Sequence, residues 1–492
     1  MTVPDRTQTG SPLLWRLVSL AVRTFYRVDR VGPSVPDGAL VLVANHPNTL
    51  LDPSVVQATA GRPVRFLAKS TLFQGPFLGA IIKRSGAIPI YRKMDPGADT
   101  SRNVEMFAAV QQALADKHAI CLFPEGISHV SGRLEPLRTG AARMVLTSAA
   151  AGQPVTIVPV GLNFDRLPMF RSRVVAMFGP PFDGADLVES FEQTPKDATR
   201  ALTDRIADHL RRLLVEADPR EDLKLVARVD RLYAAARGVS DDPAERVGRR
   251  RLIAAGIDRL REEAPEQYAA LSEDLRLYDE QLRAFGLRDS DLDRRMPAGE
   301  VVRFLLREGA RALVFAPLAV VGVCCFAPPY WLTWALSRQA PDLQSRATWQ
   351  VLGGVVVYGV WMSALATSVG VALGLGPGFA TGIGLPALAL IGLVAFEREA
   401  AALQLVRALL ASRQTPLRAR ASLKRQRAAI ASVLDRVQDW LESHPGQQPS
   451  GRENVERFSE RGAQLARRDE GAGRRPVTEE ATTPDGMPRP KT

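Results

Sequence analysis

Cysteine is nearly absent from the 492 residues, which hold only Cys121, Cys324 and Cys325. Without paired spacing these exclude a disulfide framework and a cysteine-based zinc site, and they suit a reducing compartment. No His/Cys/Asp cluster has metal-ligand spacing, so no metal is expected. Histidine is almost as scarce, at five residues. No Gly-x-Ser-x-Gly nucleophile elbow accompanies the one in VANHPNTLLD, residues 43–52. The opening stretch MTVPDRTQTGSPLLWRLV is interrupted by Arg16, with Arg23 and Arg27 following, and has no small-residue cleavage site. It is therefore not expected to be a signal peptide, and the first domain should stay in the cytosol.

What is abundant is positive charge and apolar sequence. A formal charge of +11 favours an anionic partner: nucleic acid, phosphorylated metabolites or an anionic membrane surface. The length implies two to four domains. Pro12 to Tyr26 reads as an interfacial amphipathic helix, with Trp15, Phe25 and Tyr26 towards lipid and Arg16, Arg23 and Arg27 towards headgroups. Between residues 39 and 182 the runs ALVLVAN, VRFLAK, GAIPIY, AICLFP, VTIVPVGLNF and VVAMFG read as strands. Their hydrophobicity is continuous, which implies burial on both faces. An α/β fold follows, with a mixed, mostly parallel sheet flanked by helices such as Ser101–Asp116 and Thr139–Ala151.

Further on, Leu271, Leu275, Tyr278, Leu282 and Phe285 recur at intervals of four and three, a helical seam. Ala312–Leu336 and Val351–Phe396 carry no charge, and each is long enough to cross a bilayer, the second about twice with a turn near Gly374. Three crossings would set the basic flank Arg303, Arg307, Arg311 opposite the basic region Arg413–Arg427, against the positive-inside rule. A first segment that turns back at Pro328-Pro329 would keep both flanks on one side. The expected organisation is an amphipathic N-terminal helix (1–30), an α/β domain (31–220), a charged helical region (221–300) and membrane-embedded helices (301–400, spans 312–336, 351–373 and 379–396). A basic amphipathic helical region (401–445) and a disordered tail (446–492) complete it.

The chemistry concentrates at strand ends. In VANHPNTLLD, His46 follows a buried strand and Asp52 lies six residues on, where a carboxylate can accept the second N–H of an imidazole base. Arg92 ends the GAIPIYR stretch with a guanidinium suited to phosphate. Phe123-Pro124-Glu125-Gly126-Ile127-Ser128 ends a strand with a carboxylate and an open glycine backbone. Ile157-Val158-Pro159-Val160-Gly161-Leu162 is an apolar strand interrupted by Pro and Gly. Each stretch alone also fits a plain structural turn.

In this order and within about 120 residues, the four stretches resemble the blocks of the glycerolipid acyltransferases, a family of glycerol-3-phosphate and 1-acylglycerol-3-phosphate acyltransferases. The resemblance covers roughly residues 30–185. The family usually separates its His and Asp by four residues; here five intervene, Pro47 to Leu51, as in the branch that contains the fungal glycerol-3-phosphate/dihydroxyacetone-phosphate enzymes and their bacterial relatives. That branch also carries membrane segments after the catalytic domain.

The resemblance implies that His46 is the general base, oriented by Asp52, and that the acceptor hydroxyl attacks an acyl thioester without a covalent acyl-enzyme. It implies that Arg92 holds the acceptor phosphate, that Glu125 bonds a glycerol hydroxyl beside Gly126, and that Pro159 and Val160 shape an acyl channel. Lys69 and Arg138 are further candidates for phosphate or coenzyme A. No cofactor is implied beyond the donor, acyl-coenzyme A or acyl carrier protein.

The expected function is a membrane-bound transfer of a fatty acyl group to glycerol-3-phosphate or dihydroxyacetone phosphate, with the catalytic domain on the cytoplasmic face of a bacterial inner membrane. The alternatives are a lysophospholipid acceptor and an inactive membrane scaffold. A transporter fits less well, because the apolar spans contain no ionisable group. Nucleic acid is not expected, since the basic region 413–427 lacks interleaved aromatics and suits anionic lipid. His129 reads as a satisfied loop residue; His118, His209 and His444 read as surface or packing residues. Nothing in the sequence indicates an oligomeric state.

Overall fold

The computed structural model describes residues 11–75, 78–92, 99–293 and 298–443. The expected tail at 446–492, and His444, lie outside them. Helix α1 (Pro12–Phe25) leads into β1 (Arg27–Val31) and β2 (Leu40–Ala44), followed by α2 (Leu51–Thr59), β3 (Val64–Lys69), α3 (Leu78–Arg84) and β4 (Ile88–Ile90). Then come α4 (Asn103–Ala115), β5 (Ala119–Leu122), α5 (Gly140–Ala150), β6 (Thr156–Phe164), β7 (Arg173–Phe178), α6 (Val188–Gln193) and α7 (Pro195–Arg211).

The seven strands form one sheet in the order β1-β7-β6-β2-β5-β3-β4. Only the β6–β7 pairing is antiparallel. The central strands β2 (LVLVA) and β5 (AICL) are buried along their whole length, as their unbroken apolar runs predict. Val22, Phe25, Tyr26, Leu51 and Val55 of the α1 and α2 segments cover one face. Val110, Leu114, Leu146, Leu202 and Ile206 of α4, α5 and α7 cover the other. Because β2, β5, β3 and β4 run parallel as neighbours, their carboxyl ends share one edge, the edge at which open α/β sheets bind ligands.

Two expectations for the first helix change. Arg27 belongs to β1 rather than to the helix, and the aromatics turn inward. Phe25 and Tyr26 are buried, and Trp15 packs against the core with its ring 6.2 Å from Phe66. Burying three large rings against the sheet is worth more than exposing them at an interface. The outer face instead presents Leu13, Leu17 and Leu20 beside Arg16 and Arg23.

Helices α8 (Asp222–Arg237), α9 (Pro243–Glu263) and α10 (Pro265–Ala284) make up the charged region, with α11 (Ala298–Ser337), α12 (Leu343–Leu373), α13 (Leu375–Gln414) and α14 (Leu417–Ser443) after it. Leu271, Leu275, Tyr278 and Leu282 of the predicted seam are buried, whereas Phe285 is exposed. Among the described residues, three helical spans are long and apolar enough to cross a membrane: Phe315–Ser337, Leu343–Leu373 and Leu375–Gln414. The turn between the last two is at Gly374, whose φ of +101° suits a residue without Cβ. The break expected at Pro328-Pro329 is absent: α11 is one helix with Pro317, Pro328 and Pro329 inside it. The basic segment also differs from expectation. Arg420 donates to the carbonyls of Asp291 and Leu292, and Lys424 and Arg427 pair with Asp293, so these three cations hold α14 to the protein, while Arg413, Arg418 and Arg425 remain exposed.

Candidate active site

His46 lies two residues beyond β2, and its Nδ1 donates to Asp52 Oδ2 at 2.8 Å. In the loop between them Thr49 has a φ of +42°, and Asp52 lies in the first turn of α2. A β-branched residue in that region costs about 1–3 kcal/mol and persists only where its surroundings hold it. Here they do: the Thr49 amide donates to Ser128 Oγ at 3.1 Å, and its hydroxyl lies 2.6 Å from Thr348 Oγ1 and 3.3 Å from the Gln344 carbonyl, both on α12.

Asp52 is fully buried. Its Oδ2 also accepts the Asn48 amide at 2.7 Å, and burial pushes its carboxyl above the usual range. The His46 ring stacks on Phe123, centroids 4.1 Å apart, and its side chain is 19% exposed. With Nδ1–H fixed on Asp52, the Nε2 lone pair is the group offered to a reactant.

Glu125 is 3% exposed. Its Oε1 accepts the His46 amide at 2.7 Å; its Oε2 accepts the Glu135 amide at 3.0 Å and pairs with His129 Nε2. This buried carboxylate thus holds three donors of its own chain and joins the first block to the third. Gly126 has φ +75°, and its carbonyl accepts Arg92 Nη1 at 2.8 Å. A Cβ there would fall 2.4 Å from Arg138 Nε, so the glycine makes room for a guanidinium. Arg92 and Arg138 thus converge on one turn, beside Glu125.

Lys69 closes β3 on the same sheet edge, completing a row of His46, Glu125, Lys69 and Arg92 from β2, β5, β3 and β4. Pro159 and Val160 do not join it. Both are buried in β6, Pro159 against Gly179, in a strand paired with β2 and β7. His209 stacks on Phe182, a packing role. Buried Cys121 has its thiol pushed up by burial, which suits neither nucleophile nor ligand. No cluster of potential metal ligands occurs among the described residues.

Several supporting residues carried only weak sequence signals. Asn45 bridges β2 to β6 through both backbone atoms of Leu162, at 3.1 and 2.7 Å. Buried Asn48 donates to the Tyr26 hydroxyl at 2.8 Å, which in turn donates to the Leu167 carbonyl. The Asn-rich turn marked their presence but not their partners.

Residues 27–163 match the family model described as Acyltransferase. Glycerol-3-phosphate O-acyltransferase 1 of Saccharomyces cerevisiae is 28% identical over 269 residues, 51% of this chain and 35% of that protein. A probable 1-acyl-sn-glycerol-3-phosphate acyltransferase of Mycoplasma pneumoniae is 31% identical over 156 residues, 30% of this chain and 54% of that one. The chain therefore spans about a third of the yeast relative and about half of the mycoplasmal one. The crystal structure of a 1-acyl-sn-glycerophosphate acyltransferase from Thermotoga maritima aligns over 39% of this chain and 76% of its own, at 17% identity and a TM-score of 0.30.

Proposed function

We propose that this chain, whose residues 27–163 form an acyltransferase-family domain similar to the glycerolipid acyltransferases, transfers a fatty acyl group from an acyl thioester to the hydroxyl of glycerol-3-phosphate or dihydroxyacetone phosphate. The observation that carries the reading is the His46–Asp52 contact at 2.8 Å, set on the sheet edge that also bears Arg92, Lys69 and Arg138. His46 Nε2 takes the proton of the acceptor hydroxyl as the oxygen attacks the thioester carbonyl, and Asp52 stabilises the imidazolium that forms. Collapse of the tetrahedral intermediate breaks the carbon–sulfur bond, and the thiolate of coenzyme A or acyl carrier protein takes the proton back. No side-chain nucleophile and no cofactor enters this sequence. Arg92 and Arg138 would meet the acceptor phosphate or the donor's phosphates.

A 1-acylglycerol-3-phosphate acceptor is the second reading, favoured by the contact between the His46 loop and α12. Thr348 lies beside exposed Trp349, and Trp331 and Trp334 of α11 are exposed as well, the residue type that settles at a membrane–water boundary. In either reading the protein works at a membrane with its catalytic domain on the cytoplasmic face. The test is turnover of the full chain in detergent with acyl-coenzyme A and each acceptor in turn. Ester formation with glycerol-3-phosphate supports the first reading; preference for 1-acylglycerol-3-phosphate selects the second. No ester with either acceptor from folded protein contradicts both and leaves the inactive scaffold.

A further inference from the structure

His46 is not the only histidine in the site paired with a carboxylate. His129 faces Glu125 through Nε2 and Ser131 through Nδ1, at 3.0 Å from Oγ. The serine hydroxyl has one hydrogen, and it goes to the Arg133 carbonyl at 2.8 Å. Towards His129 that oxygen can only accept, so Nδ1 must carry a hydrogen. On the other side of the ring, Glu125 is already the acceptor of the His46 and Glu135 amides. A carboxylate in that setting takes a further N–H. Both ring nitrogens then donate, and a neutral imidazole has only one N–H.

We propose that His129 is a resident imidazolium that positions His46, through Glu125, for the acyl transfer proposed above. The linkage is short. Glu125 holds the His46 amide, and the His129 amide donates to the His46 carbonyl at 3.1 Å, so one ion pair and its turn grip the catalytic residue's backbone from both sides. The charged groups that face His129 are Glu125, Glu135 and Asp52, all carboxylates, and the Glu125 bond leads in holding its proton above the usual histidine range. If the proton leaves, one of the two hydrogen bonds is lost and Glu125, at 3% exposure, keeps its charge without a counter-ion. Breaking a buried pair in this way is strongly unfavourable, and the His46 backbone is the first thing attached to it. Both ring nitrogens of His129 are engaged within the chain, so its action on substrate is indirect: it is a positioning residue.

The proposal rests on the acyl-transfer reading for its kinetic arm and stands alone in its spectroscopic arm. The full chain, labelled with 15N at histidine and held in detergent micelles, is compared with His129→Gln to identify the resonances of residue 129. Both ring nitrogens should report N–H at neutral pH, where burial favours the neutral forms of His118 and His209. A single N–H at residue 129 would overturn the assignment. In steady-state assays, His129→Gln should lose up to about 100-fold in kcat, as small displacements of a catalytic group do, with the KM values unchanged. His129→Arg, whose cation does not titrate, should recover part of that rate. The wild-type rate should fall at alkaline pH as His129 loses its proton, and the His129→Arg profile should lack that fall. A His129→Gln variant with wild-type kcat, or a His129→Arg profile that keeps the alkaline limb, would overturn the positioning role. Absence of turnover in the wild type would instead count against the acyl-transfer reading, and the nitrogen spectra would still judge His129.

Discussion

Asp52 combines two costs that a purely structural residue would avoid: it is a carboxylate with no solvent contact, and its Oδ1 has no hydrogen-bond partner. Its raised folded-state pKa fixes the sign of the pH effect. The folded protein holds that proton more tightly than the unfolded chain, so the contribution to stability is greatest below the ordinary carboxyl range and is lost as pH rises through the raised value. At neutral pH the charge is therefore a burden. Asp52→Asn should melt at the wild-type temperature or higher at pH 7, while kcat falls about 100-fold or more because the imidazolium loses its counter-charge. A melting temperature well below wild type would contradict this. Gly126→Ala tests the neighbouring turn: positive φ and the clash with Arg138 should cost about 1–3 kcal/mol, read by thermal or denaturant unfolding, and raise KM for the phosphorylated substrate. At this scale the sequence revealed the residues better than their tasks. His46, Asp52, Arg92 and Gly126 were legible as unusual chemistry at strand ends. The role of Glu125 was not, because its partners are backbone amides from residues 46 and 135, and no side-chain pattern records a backbone donor.

Between elements, the His46 loop is tied to α12. Thr49 and Thr348 are 299 residues apart in sequence, yet their hydroxyls meet where the loop departs from ordinary backbone geometry. Thr348→Val should lower kcat with little change in KM, and Thr49→Val should do the same. In a double-mutant cycle the two should couple by about 1 kcal/mol; additive losses would show that α12 does not hold the loop. Elements with a strong physical signature were readable from sequence: buried strands from continuous apolar runs, apolar helices from uncharged length. Strand β1, RVDRV, was missed because an edge strand with half its side chains in solvent carries charge where a central strand cannot. Helix α2 was hidden because Asp52 and Pro53 occupy its first turn, where proline is tolerated but no apolar period has yet begun.

At the scale of the whole molecule, the α/β domain and the apolar helices are joined by packing and by charge. Ala347 of α12 belongs to the core cluster on the α1 face and Val351 packs against it, and Phe170 meets Tyr330 of α11 at 6.2 Å. Arg171 holds Glu397 of α13 with two nitrogens at 2.6 and 3.0 Å, and Arg27 adds a third bond at 3.0 Å. The same Arg171 donates to the carbonyls of Arg23 and Thr24 at the end of α1. Glu397→Gln should therefore loosen the joint: limited proteolysis of the full chain in detergent should release the α/β domain faster than from wild type, whereas an unchanged cleavage rate would leave the joint to apolar packing alone. The sequence indicated an α/β domain followed by long apolar helices without indicating that they touch, since contacts across hundreds of residues leave no local period. The central claim is that His46 deprotonates the acceptor while Asp52 orients it. Its most direct test is the rate of ester formation from acyl-coenzyme A and glycerol-3-phosphate by the wild type and by His46→Ala, both shown to be folded by thermal melting. The account predicts turnover by the wild type and a loss of at least about 100-fold in the variant; equal rates would contradict it.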